Sequence, residues 1–215
     1  CLDQARGVNG MKDIAKDRKT RSFGRKEVLF YEGDDLRHIF FLQSGKVRTY
    51  KMNNDGKELV TGLYGPGDFL GHMAVLEGGR CADNAEALEP SEVSVIPKED
   101  LLALLYRDRD VSIRFIKMLT REVKEKEVQL LDLAYASVRQ RVAQALLRLR
   151  DRYGEAQGNE LGLRISREDL ATIVGTATES LIRTLSDLRD EGLIELQGRD
   201  IHLRDMKKLE LLARN

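Results

Sequence analysis

Glycine divides this chain more sharply than any other residue. Nine of its 18 glycines (Gly33, Gly45, Gly56, Gly62, Gly65, Gly67, Gly71, Gly78 and Gly79) fall between residues 26 and 97, whereas residues 110–136 contain neither glycine nor proline. The first stretch must turn often and the second need not turn at all. Between the glycines lie short runs of strand-forming residues: Val28-Leu29-Phe30-Tyr31, Ile39-Phe40-Phe41-Leu42, Leu59-Val60-Thr61 and Val93-Ser94-Val95-Ile96. Asn54-Asp55-Gly56 reads as a hairpin turn, because Asp-Gly accepts positive φ at little steric cost. Gly65-Pro66-Gly67-Asp68 is a hard break between two further strands. Many short strands at near-regular spacing predict a sandwich, barrel or jelly roll.

Composition narrows the function classes. Of 215 residues, 41% are apolar and 33% charged, a balance that supports a folded core. Lys and Arg number 36 and Asp and Glu 36, so no global field draws the chain to nucleic acid or membrane; such binding must come from a local patch. No apolar run approaches the roughly 18–20 residues of a membrane span, and no segment has a signal-peptide pattern. The two cysteines, Cys1 and Cys81, cannot build a disulfide framework or a four-cysteine metal or iron–sulfur site, which predicts a reducing cytoplasm. The first residue is Cys1 rather than Met, which leaves room for residues upstream.

From Glu99 to Tyr106 the pattern turns helical after Pro97, and a long helix follows over roughly Asp110–Ala136. Read at alternating spacings of three and four, its seam is Ile116, Leu119, Val123, Lys126, Leu130, Leu133 and Ser137. Five of these seven are apolar, the period of a coiled coil. The helix either lies on its own domain or pairs with its copy. Its length and polar outer faces favour the pair. A second helix is predicted over Val138–Tyr153, then a polar loop from Gly154 to Asn159 and a short extended stretch from Leu161 to Ile165.

Residues 165–204 are the most informative. Ser166 is a good N-cap, and Asp169 sits where an acid favours a helix start. Leu170, Ala171, Ile173 and Val174 form the apolar face of a helix that Gly175 stops. A second helix runs from about Thr178 to Glu191, ends at Gly192, and buries Leu181, Leu185 and Leu188. Two short helices joined by a glycine-bearing turn form a helix-turn-helix. Leu193–Leu196, Gln197–Asp200 and Ile201–Leu203 then read as a hairpin, which adds a wing.

On the second helix Glu179, Ile182, Arg183 and Ser186 share the face opposite the leucines. In a major groove Arg can bond guanine O6 and N7 together, and Glu can accept from cytosine N4. Thr176, Thr178 and Ser180 can bond phosphates at the helix N-terminus. In isolation Glu179 and Arg183 could equally be an ordinary exposed i,i+4 pair. Residues 138–215 hold 14 Lys and Arg against 13 Asp and Glu, less basic than many DNA-binding domains. Asp187, Asp190 and Glu191 lie toward the far end of the reading helix.

The whole order resembles the cyclic-AMP receptor protein (Crp/Fnr) family of bacterial transcription regulators. Val28–Asp34 (VLFYEGD), Ile39–Val47 (IFFLQSGKV) and Gly65–Gly71 (GPGDFLG) are similar to the family's effector-domain motifs, and Ile165–Leu196 is similar to its winged helix-turn-helix. The resemblance implies an α+β fold: an N-terminal β jelly-roll of the cyclic-nucleotide-binding kind, a dimerising helix and a C-terminal winged helix-turn-helix. The implied divisions are an N-terminal segment 1–20, a sensor domain 21–109, a dimerisation helix 110–137 and a DNA-binding domain 138–215. It also implies that Glu179 and Arg183 occupy the family's base-reading positions. Thr178 stands where some members have Arg, and Ala177 where a capping Ser or Thr is usual, which leaves Thr176 as an alternative cap.

The effector site departs from the cyclic-nucleotide pattern. Nucleotide-binding members carry Gly-Glu, whose acid holds the ribose, and Arg-Ser or Arg-Thr, whose cation pairs with the phosphate. Here the first pair is Gly71-His72, and the second region reads Gly79-Arg80-Cys81-Ala82-Asp83-Asn84. Gly71, His72, Met73, Arg80, Cys81 and Ala82 are the expected pocket. Arg80 could meet a phosphate, but the ribose acid is missing and Asp83 would repel an anion. His72 or Cys81 could ligate a metal or haem, and Cys81 could sense oxidation, though no ligand pair stands at a recognisable spacing; a pocket-wall histidine and a small buried cysteine read more simply. The effector is thus unassigned and no metal site is expected.

The resulting expectation is a homodimeric, cytoplasmic regulator that binds double-stranded DNA and, by resemblance, RNA polymerase, with a small-molecule effector acting on the β-roll. The alternative is a ligand-binding protein that acts on a protein partner. No nucleophile–base arrangement, P-loop or metal-binding run points to an enzyme.

Overall fold

The computed structural model describes residues 18–153 and 165–214. It divides into two compact units, Cys1–Lys57 with Thr61–Glu125 and Glu58–Val60 with Lys126–Asn215.

Among the described residues eight strands lie wholly or largely in the first unit: β1 (Thr20–Phe23), β2 (Val28–Phe30), β3 (His38–Ser44), β4 (Val47–Met52), β5 (Glu58–Tyr64), β6 (Phe69–Leu70), β7 (Asn84–Ala87) and β8 (Ser91–Pro97). They form two four-stranded sheets, ordered β1-β8-β3-β6 and β2-β7-β4-β5. Consecutive strands β3 and β4 lie in different sheets, so the chain changes sheet at Gly45. That residue has φ +89°, and a Cβ there would stand 2.6 Å from the Pro90 carbonyl oxygen. Only glycine fits both demands.

Strand β3 shows how the core is organised. Ile39, Phe40, Phe41 and Leu42 are all buried, so both faces of the strand are covered. Alternation then sorts them. Phe40 and Leu42 join Val47, Ala85, Ala87 and Val93 in one cluster. Ile39 and Phe41 join Phe69, Ile96, Leu101, Val111 and Phe115 in a second, closed by the helices α2 (Lys98–Arg107) and α3 (Arg109–Tyr135). Strand β7 is absent from the sequence reading, because Asn-Ala-Glu-Ala has little strand propensity; pairing with β2 and β4 overrides it. Tyr31 lies beyond β2, because its N–H turns to Asp34 Oδ2 at 2.8 Å.

Helix α3 ends one residue before the expected limit. Its seam does not behave as one stripe. Leu119 is half-buried against the second cluster, and Leu133 is half-buried as well. Ile116, Val123 and Leu130, at intervals of seven, are exposed by 60%, 59% and 67%.

In the second unit lie α4 (Val138–Tyr153), α5 (Arg167–Val174), α6 (Thr178–Asp190), β9 (Ile194–Gln197), β10 (Asp200–Leu203) and α7 (Met206–Arg214). Helix α7 has no counterpart in the sequence reading. Met206, Leu209, Leu212 and Ala213 share its inner face, with Leu209 fully buried, so its amphipathic spacing was there to be read. It packs on α4, where Gln144 Nε2 donates to the Ala213 carbonyl at 3.0 Å. Of the extended stretch expected at Leu161–Ile165, only the buried Ile165 falls within the described residues.

Candidate nucleic-acid interface

Local chemistry sets the two helices. The Ser166 hydroxyl accepts from Asp169 N–H at 3.0 Å and donates to Asp169 Oδ2 at 2.8 Å, a reciprocal cap at the start of α5. Gly175 closes α5 with φ +70°, and its N–H and that of Thr176 both reach the Ala171 carbonyl. Helix α6 then begins at Thr178 with Ala177 as N-cap and no side-chain cap bond, so Thr176 does not supply one. The first-turn N–H groups keep their capacity to meet an anion.

Leu181, Leu185 and Leu188 are buried, and Thr184 joins them by donating to the Ser180 carbonyl at 2.9 Å. On the other side Glu179, Ser180, Ile182 and Arg183 are exposed, while Thr176, Thr178 and Ser186 are half-buried at its edge. Glu179 and Arg183 make no ion pair with each other or with any other described residue. The simple i,i+4 pair is therefore not what holds them.

The acids at the far end of α6 are largely taken. Glu191 pairs with Arg139 of α4, and that bond holds its carboxyl below the usual range. Arg189 holds Asp190 at 2.8 Å. Strands β9 and β10 pair antiparallel with Gln197 opposite Asp200, which leaves the two-residue turn Gly198-Arg199. Gly198 has φ +61°, which the first central residue of a type II′ turn requires. Arg199, missing from the candidates drawn from sequence, is exposed at the wing tip without a partner among the described residues.

The cyclic nucleotide-binding domain model matches residues 20–108, and the Crp-like helix-turn-helix domain model matches residues 140–212. The cyclic AMP receptor protein of Thermus thermophilus is 32% identical over 193 residues, covering 90% of this chain and 87% of that protein. The chain belongs to the Crp/Fnr family of transcription regulators. The transcriptional activator protein FnrA of Stutzerimonas stutzeri is 27% identical over 209 residues, covering 96% of this chain and 84% of its own. The structure of FixK2 from Bradyrhizobium japonicum superposes with a TM-score of 0.82 at 27% identity, covering 91% of this chain and 96% of that one. Crp/Fnr proteins are regulators rather than enzymes.

The expected effector residues make separate contacts in this Crp/Fnr chain. Gly71, at φ +76°, turns the backbone so that His72 opens the helix α1 (His72–Glu77). The His72 ring is buried, its Nε2 3.0 Å from Glu122 Oε2 of α3, and its edge faces Phe115. Cys81 instead belongs to the cluster around Phe40. Met73 and Ala82 are exposed. Arg80 is exposed and donates to the Gly33 carbonyl at 2.9 Å rather than waiting for a phosphate. Asp83 accepts from the Thr61 hydroxyl at 3.1 Å.

Burial, with the charges of Asp34 and Asp83, pushes the Cys81 thiol from 9.0 to about 11. Little thiolate is then present at neutral pH, which argues against oxidation sensing. Iodoacetamide at pH 8 should leave Cys81 unmodified in the folded chain and label it after denaturation, read by peptide mass spectrometry. Because the folded value lies above the unfolded one, this thiol's contribution to stability is complete below about pH 9 and is lost as pH rises through about 11. Rapid labelling of the native chain would contradict this.

Proposed function

We propose that this chain is a cytoplasmic, homodimeric, sequence-specific DNA-binding transcription regulator in which α6 enters the major groove. Glu179 and Arg183 read base edges, and Ile182 offers an apolar contact to a thymine methyl. Thr176, Thr178, Ser180 and Ser186 bond phosphates, joined by Arg199 from the wing. The observation that carries the reading is an unpaired acid and guanidinium on the outer face of a helix whose inner face is fully packed. Gel shifts against genomic fragments, repeated at raised salt, test it: selectivity that survives salt supports base reading, and its uniform loss points to a protein partner instead.

The proposed divisions are a sensor at 21–109, a dimerisation helix at 110–137 and a DNA-binding domain at 138–215. Ile116, Val123 and Leu130 pair with their copies, flanked by Leu119 and Leu133, and set the two reading helices about 34 Å apart on a pseudo-palindrome. Val123→Glu should convert the dimer to monomer in sedimentation velocity at micromolar concentration, because an unpaired charge would enter the apolar seam. An unchanged sedimentation coefficient would refute the seam. RNA polymerase is the expected protein partner, and a small molecule acting on the β-roll the expected effector. Cyclic nucleotide is not assigned, since Arg80 is engaged with Gly33 and the ribose acid is absent. Haem is not assigned, since His72 and Cys81 sit in different packing environments.

A further inference from the structure

Arg167, the first residue of α5, sends its guanidinium across to the wing, where Nη2 donates to the Gly198 carbonyl at 3.0 Å. Its Nη1 is buried without a hydrogen-bond partner, and no carboxylate forms an ion pair with it among the described residues. Burial accordingly pushes this guanidinium below its ordinary pKa. A charge kept in such surroundings and bonded to a neutral carbonyl calls for a positional explanation.

The bond acts on one peptide plane. The carbonyl of Gly198 and the N–H of Arg199 belong to the same rigid unit. Gly198 is the most permissive residue of the turn, and the wing is a single pair of strands, which alone is marginally stable. Tying the Gly198 carbonyl to the start of α5 therefore fixes the direction in which the Arg199 backbone leaves the turn.

We propose that Arg167 is a positioning residue that clamps the wing turn so that Arg199 is held ready for a phosphate. The DNA half of this inference rests on the function proposed above; the clamp itself does not.

The test has two arms, both on the full chain. In the first, trypsin nicking after Arg199 is timed under native conditions. Arg167→Met should speed it several-fold with an unchanged circular dichroism spectrum, and Arg167→Gln, whose side chain is too short to reach Gly198, should act alike if the first variant folds poorly. Wild-type nicking rates in the folded variants would overturn the clamp. In the second arm, affinity for the selected fragment is followed against salt. Arg199→Ala should lower the slope of log affinity against log salt by about one. Arg167→Met should lower it by a similar amount, and the double variant should lose no more than Arg167→Met alone. Additive losses would mean that Arg167 contacts a phosphate itself, and would overturn the positioning role. If Arg199→Ala leaves the slope unaltered, the phosphate role of the wing fails, and the nicking rates alone decide the clamp.

Discussion

Replacing Arg183 by Ala should reduce affinity for the preferred site by about 1–3 kcal/mol, roughly 5–150-fold, while affinity for random duplex changes little. The asymmetry follows from geometry. A bidentate bond to guanine exists only where guanine stands, whereas random duplex offers Arg183 mainly phosphate. Arg183 has no ion pair among the described residues to lose, so the fold should be indifferent to its removal. Arg183→Lys should recover only part of the loss, since a point charge lacks the planar fork. Competition gel shifts with the selected site and a scrambled duplex measure both affinities. Equal losses on the two duplexes would remove Arg183 from base reading.

The largest stability effect is expected inside the β-roll, at a buried ion pair. Arg48 of β4 is almost wholly buried, and both Nε and Nη2 approach Glu86 Oε1 of β7, at 3.2 and 3.1 Å. Its guanidinium also lies 4.7 Å from the centre of the Tyr50 ring. Lys26 stands 3.7 Å from the same Glu86 oxygen but is half in solvent. Arg48→Met would leave the Glu86 carboxylate desolvated with one weak partner, and should destabilise the unit by about 3–5 kcal/mol. For a chain of this size that is a fall of roughly 6–20 °C in midpoint. Arg48→Met combined with Glu86→Leu should recover most of it, because no stranded charge then remains. Differential scanning calorimetry of the three chains distinguishes the cases. A single variant as stable as wild type would show that the pair is solvated in the folded state.

The two experiments probe features that differed in legibility. The exposed face of α6 was open to inspection because it is written in local chemistry: leucines at helical spacing, a glycine that accepts φ +70°, a serine with an acid three residues on. Helices α4 and α6 matched their expected limits closely for the same reason. The turn at Gly56 also held, its N–H reaching the Asn53 carbonyl.

Side-chain partnerships were another matter. His72 meets Glu122, 50 residues on, a partner that no local pattern announces. Arg80 was offered a phosphate and took the Gly33 carbonyl, 47 residues back. Glu191 lies at the far end of the helix-turn-helix, and Arg139 pairs with it across 52 residues. Arg199 looked like one basic residue among many, and stands out because its neighbours Arg189 and Arg204 are paired and it is not.

Periodicity, capping and turn preference act over a few residues, so the sequence by itself determined the two-part architecture, the helix-turn-helix and the face it presents. Which charge meets which, which half of β3 faces which core, and which part of the α3 seam stays uncovered were decided only by the tertiary structure. Those outcomes depend on what distant segments bring within about 4 Å, a range over which ion pairing and close packing act.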